Sequence, residues 1–157
     1  MDRAAAETSP FTWGIIGTGA IAAFFAADLG LIAGARLGAV HSRSLGKARA
    51  FASRFGDGSA YDDLDAFLAD PSLDAVYIAT PNNLHAPQAL AAIAAGKPVL
   101  IEKPIALSAA DAEAIAAAAS ARGVFAMEAM WSRFLPAVSA LRRHLASDPI
   151  GKVRRLR

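Results

Sequence analysis

A glycine motif between an apolar run and a helical segment constrains the fold more than any other feature of the sequence. Residues 12–16 form the apolar run, and residues 17–22 read GTGAIA, which is the spacing GxGxxA. Gly17 suits a tight turn, Gly19 lets the backbone approach a pyrophosphate, and small Ala22 allows close helix–strand packing. Purely structural glycines also occur at such corners. Cofactor contacts are expected from Gly17, Thr18, Gly19, Ala20 and Ile21.

Short apolar runs alternate with longer helical segments along the rest of the chain. This alternation predicts an α/β fold of the Rossmann type, in which a doubly wound parallel sheet is wrapped by helices. Strands are predicted at Thr12–Ile16, Arg36–His41, Ser59–Tyr61, Ala75–Ala79, Val99–Glu102 and Val124–Met127. Helices are predicted at Ala20–Ile32, Leu45–Phe55, Asp63–Leu68, Leu84–Ala94, Ala109–Arg122 and Arg133–Leu145. Ser108 is the predicted N-cap of the fifth helix, and Gly96 and Gly123 are predicted to end helices.

The composition agrees with a globular domain and excludes several classes of site. The 157 residues are 55% hydrophobic and 19% charged, which is unlike a disordered chain. The absence of cysteine excludes disulfides, thiolate zinc sites and a cysteine nucleophile. No metal site is expected, because three histidines are scattered and no HExxH motif occurs. Proline, glycine and polar residues interrupt both long uncharged stretches, so neither is expected to cross a membrane, and a cytoplasmic location is expected.

The charge is distributed unevenly along the chain. Residues 1–141 carry ten Lys or Arg and thirteen Asp or Glu, whereas residues 142–157 carry six and one. A basic end can indicate nucleic-acid binding. Here Val153, Arg154 and Leu156 alternate in a way that favours the start of a strand near Lys152, so no nucleic-acid partner is expected. The first ten residues are expected to form a frayed arm.

The end of the second predicted strand indicates which dinucleotide would bind. An NAD site normally has Asp or Glu about 20 residues after the glycines, to hold the ribose 2′-hydroxyl. No acidic residue occurs between Asp28 and Asp57. Ser42 and Arg43, which end the strand, suit a 2′-phosphate. NADP is therefore the expected cofactor and NAD the second choice, while Lys47 and Arg49 are expected on the solvated face of the next helix.

Two further clusters lie at predicted strand ends, where open α/β folds bind ligands. Residues 80–85 read TPNNLH, and Thr80 and Pro81 would lie beside the cofactor. Asn82 and His85 fit either cofactor contact or capping and loop hydrogen bonds. Glu102-Lys103-Pro104 follows the fifth strand and would place one ammonium group beside the nicotinamide.

Together GTGAIA, TPNNLH, EKP and MEAMWSRFLP resemble the glucose-fructose oxidoreductase and inositol dehydrogenase (Gfo/Idh/MocA) family. The last motif is most similar to the branch of dihydrodiol and NADP-dependent sugar dehydrogenases. The resemblance implies that Lys103 is catalytic and binds a substrate hydroxyl, working with a histidine from a second domain. Further cofactor contacts are implied at Thr80, Pro81, Asn82, His85, Glu102, Lys103, Trp131 and Arg133.

The resemblance also implies a domain organisation and an activity. Residues 1–127 would form the Rossmann domain, and residues 128–157 the linking helix and first strand of a second, substrate-binding domain. None of His41, His85 and His144 matches the second-domain histidine, so the chain is expected to bind NADP but to be inactive alone. Its substrate would be a sugar, polyol or cyclic diol, and any homo-oligomer would form through the second domain.

Two other classes of protein share the predicted architecture. Short-chain dehydrogenases use a Tyr-x-x-x-Lys pair, but Asp65 and Pro81 occupy that spacing after Tyr61 and Tyr77. A non-catalytic nucleotide-binding or interaction protein of the same fold stays open as the second hypothesis.

Overall fold

A computed structural model describes residues 9–147, which form one sheet of six strands with helices on both faces. The strands are β1 (Phe11–Ile16), β2 (Ala35–His41), β3 (Ser59–Tyr61), β4 (Ala75–Ile78), β5 (Val99–Ile101) and β6 (Ala126–Glu128). The helices are α1 (Ala20–Leu29), α2 (Leu45–Phe55), α3 (Leu64–Leu68), α4 (His85–Ala94), α5 (Ala109–Arg122) and α6 (Pro136–Ala146). Short 3₁₀ helices occupy Asn82–Leu84 and Trp131–Phe134. The predicted α/β fold is confirmed.

The sheet order is β3-β2-β1-β4-β5-β6, and all five strand pairs are parallel. Side chains from α1 and α2 pack into the core on one face of the sheet. Side chains from α3, α4 and α5 pack into the core on the opposite face. Strand β4 is buried along its whole length, as expected for a central strand of a parallel sheet covered on both faces.

The register of the strands brings their carboxyl ends to one edge. Ile16 pairs with both His41 and Ile78. Ile78 pairs with Ile101, which in turn pairs with Glu128. The loops that follow these strands therefore emerge side by side. The chain order reverses between β1 and β4, which is where doubly wound sheets leave a crevice for a ligand.

The predicted helix caps are present. The hydroxyl of Ser108 accepts a hydrogen bond from the Asp111 backbone N–H at 3.1 Å, which satisfies one of the free donors at the start of α5. Gly123 ends the same helix in the left-handed conformation, at φ +63°. Gly96 follows α4 with φ +76°. These caps explain why the limits of α5 agree with those predicted.

Several predicted boundaries were wrong, for identifiable reasons. Helix α1 ends at Leu29 instead of Ile32, because Gly30 caps it and the chain then turns to begin β2 beside β1. Helix α4 begins at His85, one residue later than predicted, because a 3₁₀ helix precedes it. Helix α6 begins at Pro136 instead of Arg133, since proline fits the first helical position and a 3₁₀ helix occupies the residues before it.

Other ends differ by one or two residues, as is common at element boundaries. Strand β6 is displaced by two residues at its start and one at its end, to Ala126–Glu128. The predicted strand near Lys152 and the first eight residues of the predicted arm lie outside the described residues. Within residues 9–147, no helix combines the length and apolar character needed to cross a bilayer.

Candidate functional site: a cavity at the carboxyl edge of the sheet

The chain turns sharply from β1 into α1 at Gly17. Its φ of +111° lies in a region that side chains rarely adopt, and an added Cβ would meet the Ala79 carbonyl oxygen at 2.6 Å. The Gly17 backbone N–H donates to the His41 carbonyl oxygen at 2.9 Å. Glycine is therefore required here by the fold itself, because the turn is pressed against the end of β4.

Gly19 differs from Gly17, because nothing in the protein requires it to be glycine. Its φ of −80° is ordinary, and an added Cβ would meet no atom within 4 Å. It is the N-cap of α1, and no side chain caps the free N–H groups of the first turn. Unpaired N–H groups at a helix start bind anions, and an open glycine leaves room for one to approach. Gly19 thus fits a ligand and not a packing need.

A cavity of about 590 Å³ opens beside this turn, and it is called the glycine-turn cavity below. Its walls come from the ends of β1, β2 and β4 and from the segments that follow them. The lining residues are Gly17, Thr18, Gly19, His41, Ser42, Arg43, Ser44, Lys47, Ala79, Thr80, Pro81, Leu84 and Gln88. Two of these are cationic, and among the described residues that line the cavity none is acidic. The cavity therefore favours an anionic ligand.

The segment after β2 and the first turn of α2 supply the two cationic groups. Ser42 and Arg43, for which a phosphate contact was predicted, line the glycine-turn cavity. Lys47 is exposed on α2, as expected, and also lines the cavity. Ser44 begins α2 and accepts from the Lys47 backbone N–H at 3.4 Å, so the first turn of α2 lies beside the cavity. Arg49 lies outside the set of lining residues.

His41 lies beside these groups and is nearly buried. Burial lowers the pKa of His41, although the Asp62 carbonyl and the carboxylates of Asp63 and Asp62 act in the opposite direction. Its Nδ1 atom has no hydrogen-bond partner among the described residues. The ring lies 5.9 Å from that of Phe67. The β2 end therefore presents its positive charge through Arg43 and Lys47 and not through this imidazole.

The loop after β4 forms the opposite wall. Thr80 donates its hydroxyl proton to Gln88 Oε1 at 2.6 Å, which fixes the Gln88 amide at the cavity. Sequence reasoning missed Leu84 and Gln88. The available signal was their spacing of four residues, which places both on one helical face below the loop.

His85 is not part of this wall, although it was a predicted cofactor contact. It is fully buried, and its two ring nitrogens lie against the carbonyl oxygens of Pro104 and Thr80. Of the two sequence interpretations, the structure shows loop hydrogen bonding for His85. Asn82 is exposed at the start of the 3₁₀ helix, and neither residue lines the glycine-turn cavity.

The segment after β5 carries Lys103, whose side chain is exposed. Buried Glu102 accepts a hydrogen bond from the Tyr77 hydroxyl at 2.5 Å and from the Lys103 backbone N–H at 3.1 Å. Desolvation, followed by the neighbouring Glu102 carboxylate, raises the pKa of Tyr77 far above its usual value near 10.0. Tyr77 therefore stays protonated and keeps donating to Glu102.

A second, apolar cavity of about 450 Å³ lies between α1 and the start of the 3₁₀ helix after β6. It is lined by Ile21, Phe24, Phe25, Asp28, Tyr77, Leu100, Glu102, Met127, Ala129, Trp131 and Phe134. Three predicted cofactor contacts, Ile21, Glu102 and Trp131, lie here instead of in the glycine-turn cavity. Ile21 lies on α1, whereas Glu102 follows β5 and Trp131 follows β6. The ends of β5 and β6 lie away from the ends of β1 and β2, which border the glycine-turn cavity. Ala20, Lys103 and Arg133 are exposed and line neither cavity.

Within the described residues, no group of three His, Asp or Glu side chains could hold a metal ion. The parallel sheet order, the strained glycine turn and the cavity at the strand-order reversal together define a Rossmann-type domain. The chain belongs to the Gfo/Idh/MocA oxidoreductase family with an NAD-binding Rossmann fold, whose model matches residues 11–130.

Similar proteins agree with this assignment. The chain is 41% identical over 144 residues to mouse (Mus musculus) trans-1,2-dihydrobenzene-1,2-diol dehydrogenase, covering 90% of the chain and 43% of the mouse protein. It is 43% identical over 141 residues to scyllo-inositol 2-dehydrogenase (NADP(+)) IolU of Bacillus subtilis (strain 168), covering 90% of the chain and 42% of that protein. The chain thus spans less than half the length of these curated relatives.

A solved structure shows the same fold. The 3-ketoreductase KijD10 of Actinomadura kijaniata, crystallised with TDP-benzene and NADP, superposes with a TM-score of 0.80 at 34% identity. The match covers 92% of this chain and 46% of that one.

Proposed function

We propose that this chain is the NADP-binding part of an oxidoreductase that acts on a hydroxyl group of a sugar, polyol or cyclic diol. The observation that carries the proposal is the glycine-turn cavity, which an uncapped helix start shares with two cationic side chains, Arg43 after β2 and Lys47 at the start of α2. The relatives add support, because the names of IolU and of the KijD10 structure include NADP. NAD is the second choice of cofactor.

Each part of the cavity has an assigned role in holding the cofactor. The backbone N–H groups from Thr18 to Ile21 would bind the pyrophosphate, and Gly17 would shape the turn that presents them. Ser42, Arg43 and Lys47 would hold the 2′-phosphate through charge-assisted hydrogen bonds. Thr80 and Pro81 would contact the part of the cofactor that extends toward β5. The bound nicotinamide supplies an acceptor or donor of hydride.

Lys103 is the proposed catalytic residue. Its ammonium group would bind the reacting oxygen and polarise it, so that the hydroxyl proton passes to the second-domain histidine implied by the family resemblance while hydride passes from the substrate carbon to the nicotinamide. The exposed position of Lys103 at the end of β5 leaves it accessible to a substrate. Trp131 and Arg133, which follow β6, and Asn82 are proposed to contact the cofactor's nicotinamide end or the substrate.

Residues 128–157 are proposed to begin a second domain that completes the substrate site. Helix α6 supports this proposal, because none of its residues is buried although one side is apolar. The first 127 residues would then be the cofactor domain. We expect residues 1–157 to bind NADP without measurable turnover, because the proposed second domain would supply part of the substrate site.

A titration of the chain with NADP and with NAD tests this function. We expect saturable quenching of tryptophan fluorescence by NADP, and weaker binding of NAD. Equal or tighter binding of NAD would contradict the 2′-phosphate assignment. Clear turnover of a sugar or diol by these 157 residues would contradict the expected inactivity.

A non-catalytic nucleotide-binding or interaction protein is the second candidate. The exposed aromatic side chains of Phe24, Trp131 and Phe134, at 69%, 66% and 62% exposure, favour a partner at the apolar cavity. The full coding frame distinguishes the two candidate functions. A dehydrogenase needs a second domain with a proton-transferring histidine, and an interaction protein does not.

A further inference from the structure

His85 is buried between two loops at the carboxyl edge of the sheet. It is the first residue of α4, and its side chain has no exposed surface. Its Nδ1 lies 2.8 Å from the carbonyl oxygen of Pro104, and its Nε2 lies 2.9 Å from the carbonyl oxygen of Thr80. The ring therefore joins the loop after β4 to the loop that carries Lys103.

Both of these partners are hydrogen-bond acceptors only. A neutral imidazole has one N–H donor and one nitrogen lone pair, so it can donate to just one of two carbonyl oxygens. The other nitrogen would then direct its lone pair at an oxygen lone pair from less than 3 Å. An imidazole protonated on both nitrogens donates to both oxygens. The geometry around His85 fits this doubly protonated form.

The backbone near Lys103 is held at three consecutive residues. The Lys103 N–H donates to Glu102 Oε2 at 3.1 Å, and the Ile105 N–H donates to Glu128 Oε1 at 2.9 Å. Between them, the Pro104 carbonyl oxygen accepts from His85. The Ile105 bond ties the segment to β6, whereas the His85 bond ties it to the loop that borders the glycine-turn cavity. His85 thus fixes the distance between Lys103 and that cavity.

We propose that His85 is a positioning residue for Lys103. Its ring holds the two loops together through hydrogen bonds to the Pro104 and Thr80 carbonyl oxygens. The importance of this bridge for catalysis rests on the proposed role of Lys103. The bridge between the two loops does not depend on that role.

Few ionisable groups surround His85. The loop of residues 79–84 and the rest of α4 carry none. The Lys103 segment contributes Glu102 and Lys103, and β6 contributes Glu128. Helix α5, which packs on α4, contributes Asp111, Glu113 and Arg122, all of them exposed. The carboxylates of Glu102 and Glu128 already accept backbone N–H groups. The two ring nitrogens of His85 face carbonyl oxygens instead.

Nuclear magnetic resonance of the whole chain without cofactor tests the proposal. The ring nitrogens of 15N-labelled histidine report directly whether each carries a proton. We expect both His85 nitrogens to carry a proton in the folded chain, because both face carbonyl oxygens. A folded chain whose His85 ring carries a single proton overturns the proposal.

Two variants sharpen the test. His85→Gln removes the ring and its second donor, so protection of the Ile105 amide against hydrogen exchange should fall about tenfold, and unchanged protection would overturn the proposal. His144→Gln is the matched control, because His144 is exposed on α6. If His85→Gln does not fold, the ring spectrum of the unaltered chain still decides. Failure of the unaltered chain to bind NADP would contradict the proposed function alone, since the ring measurement involves no cofactor.

Discussion

Gly17 and Ala79 are in such close contact that a Cβ atom on Gly17 would lie 2.6 Å from the Ala79 carbonyl oxygen. The contact joins the turn after β1 to the end of β4. Two residues further on, Gly19 has no such neighbour. The fold therefore requires glycine at position 17, whereas at position 19 it leaves room for a side chain.

Alanine substitutions test this difference. Gly17→Ala should destabilise the fold by about 1–3 kcal/mol, because of its positive φ and the blocked Cβ position. Gly19→Ala should cost less than about 1 kcal/mol, the ordinary loss at an N-cap. It should nevertheless weaken NADP binding about tenfold or more, because the methyl group would occupy the ligand's space. Denaturant unfolding and NADP titration of both variants measure this. Equal loss of stability in the two variants would show that Gly19 is also structural.

The cationic groups at the β2 end should determine the preference for NADP. Arg43→Ala and Lys47→Ala should each weaken NADP binding by about ten- to a hundredfold, the range for a charge-assisted hydrogen bond, and NAD binding only slightly. Arg49→Ala is the matched control, because Arg49 lies on the same helix as Lys47 without lining the cavity. Calorimetric titration with both dinucleotides measures the preference. If the substitutions weaken the binding of NAD and of NADP equally, these residues do not contact the 2′-phosphate.

The Tyr77–Glu102 pair should make the fold sensitive to alkaline pH. Burial and Glu102 raise the folded-state pKa of Tyr77 above its unfolded value of about 10, so the unfolded chain loses this proton first. The stability that Tyr77 contributes is then complete below about pH 10 and is lost above it. Guanidinium unfolding across this range measures the loss.

Tyr77→Phe should reduce the alkaline loss. At neutral pH the same variant should be destabilised by about 1–3 kcal/mol, because Glu102 Oε1 loses its hydroxyl partner in a buried site. Tyr61→Phe removes a hydroxyl from a less buried tyrosine, so this variant should still lose most of the stability that the unaltered chain loses at alkaline pH. An unchanged alkaline profile in Tyr77→Phe would assign the sensitivity to other groups.

The Ser108 cap should affect stability without affecting the cavity. Ser108→Ala removes the acceptor for the Asp111 N–H at the start of α5 and should cost about 1 kcal/mol, or a few degrees in Tm. NADP affinity should not change, because α5 contributes no residue to the glycine-turn cavity. Ser120→Ala, an exposed change within the same helix, should leave Tm nearly unchanged. Thermal unfolding followed by circular dichroism provides the comparison, and equal effects would argue against the cap.

Local chemistry made most of the fold predictable. The GxGxxA motif, the alternation of apolar runs with helices, and the caps at Ser108 and Gly123 are signals within a few residues of the structure they determine. The end of α1 was less predictable, since Leu31 and Ile32 continue the apolar pattern although Gly30 has already ended the helix. Leu31 is in fact 84% exposed. Periodicity alone does not show whether an apolar side chain finds a partner.

The site was predictable only in part, because proximity in space depends on the register of the strands. Gly17, Ser42 and Thr80 each follow a strand, and the parallel order brings them together. Lys47 is exposed as expected, but its place at the cavity depends on how α2 lies against the glycine turn. The place of His85 depends on Pro104, nineteen residues away, and no local pattern indicates that contact.

The arrangement of the strands leaves the amino edge of the sheet free for other uses. The turn at residues 30–34, between α1 and β2, lies at that edge and contributes nothing to the glycine-turn cavity. The sequence has no cysteine, so Leu31→Cys would create a unique thiol on a surface turn. A dye attached there could report on single molecules, and a surface tether could hold them in place. In both cases the binding edge would face away from the attachment point.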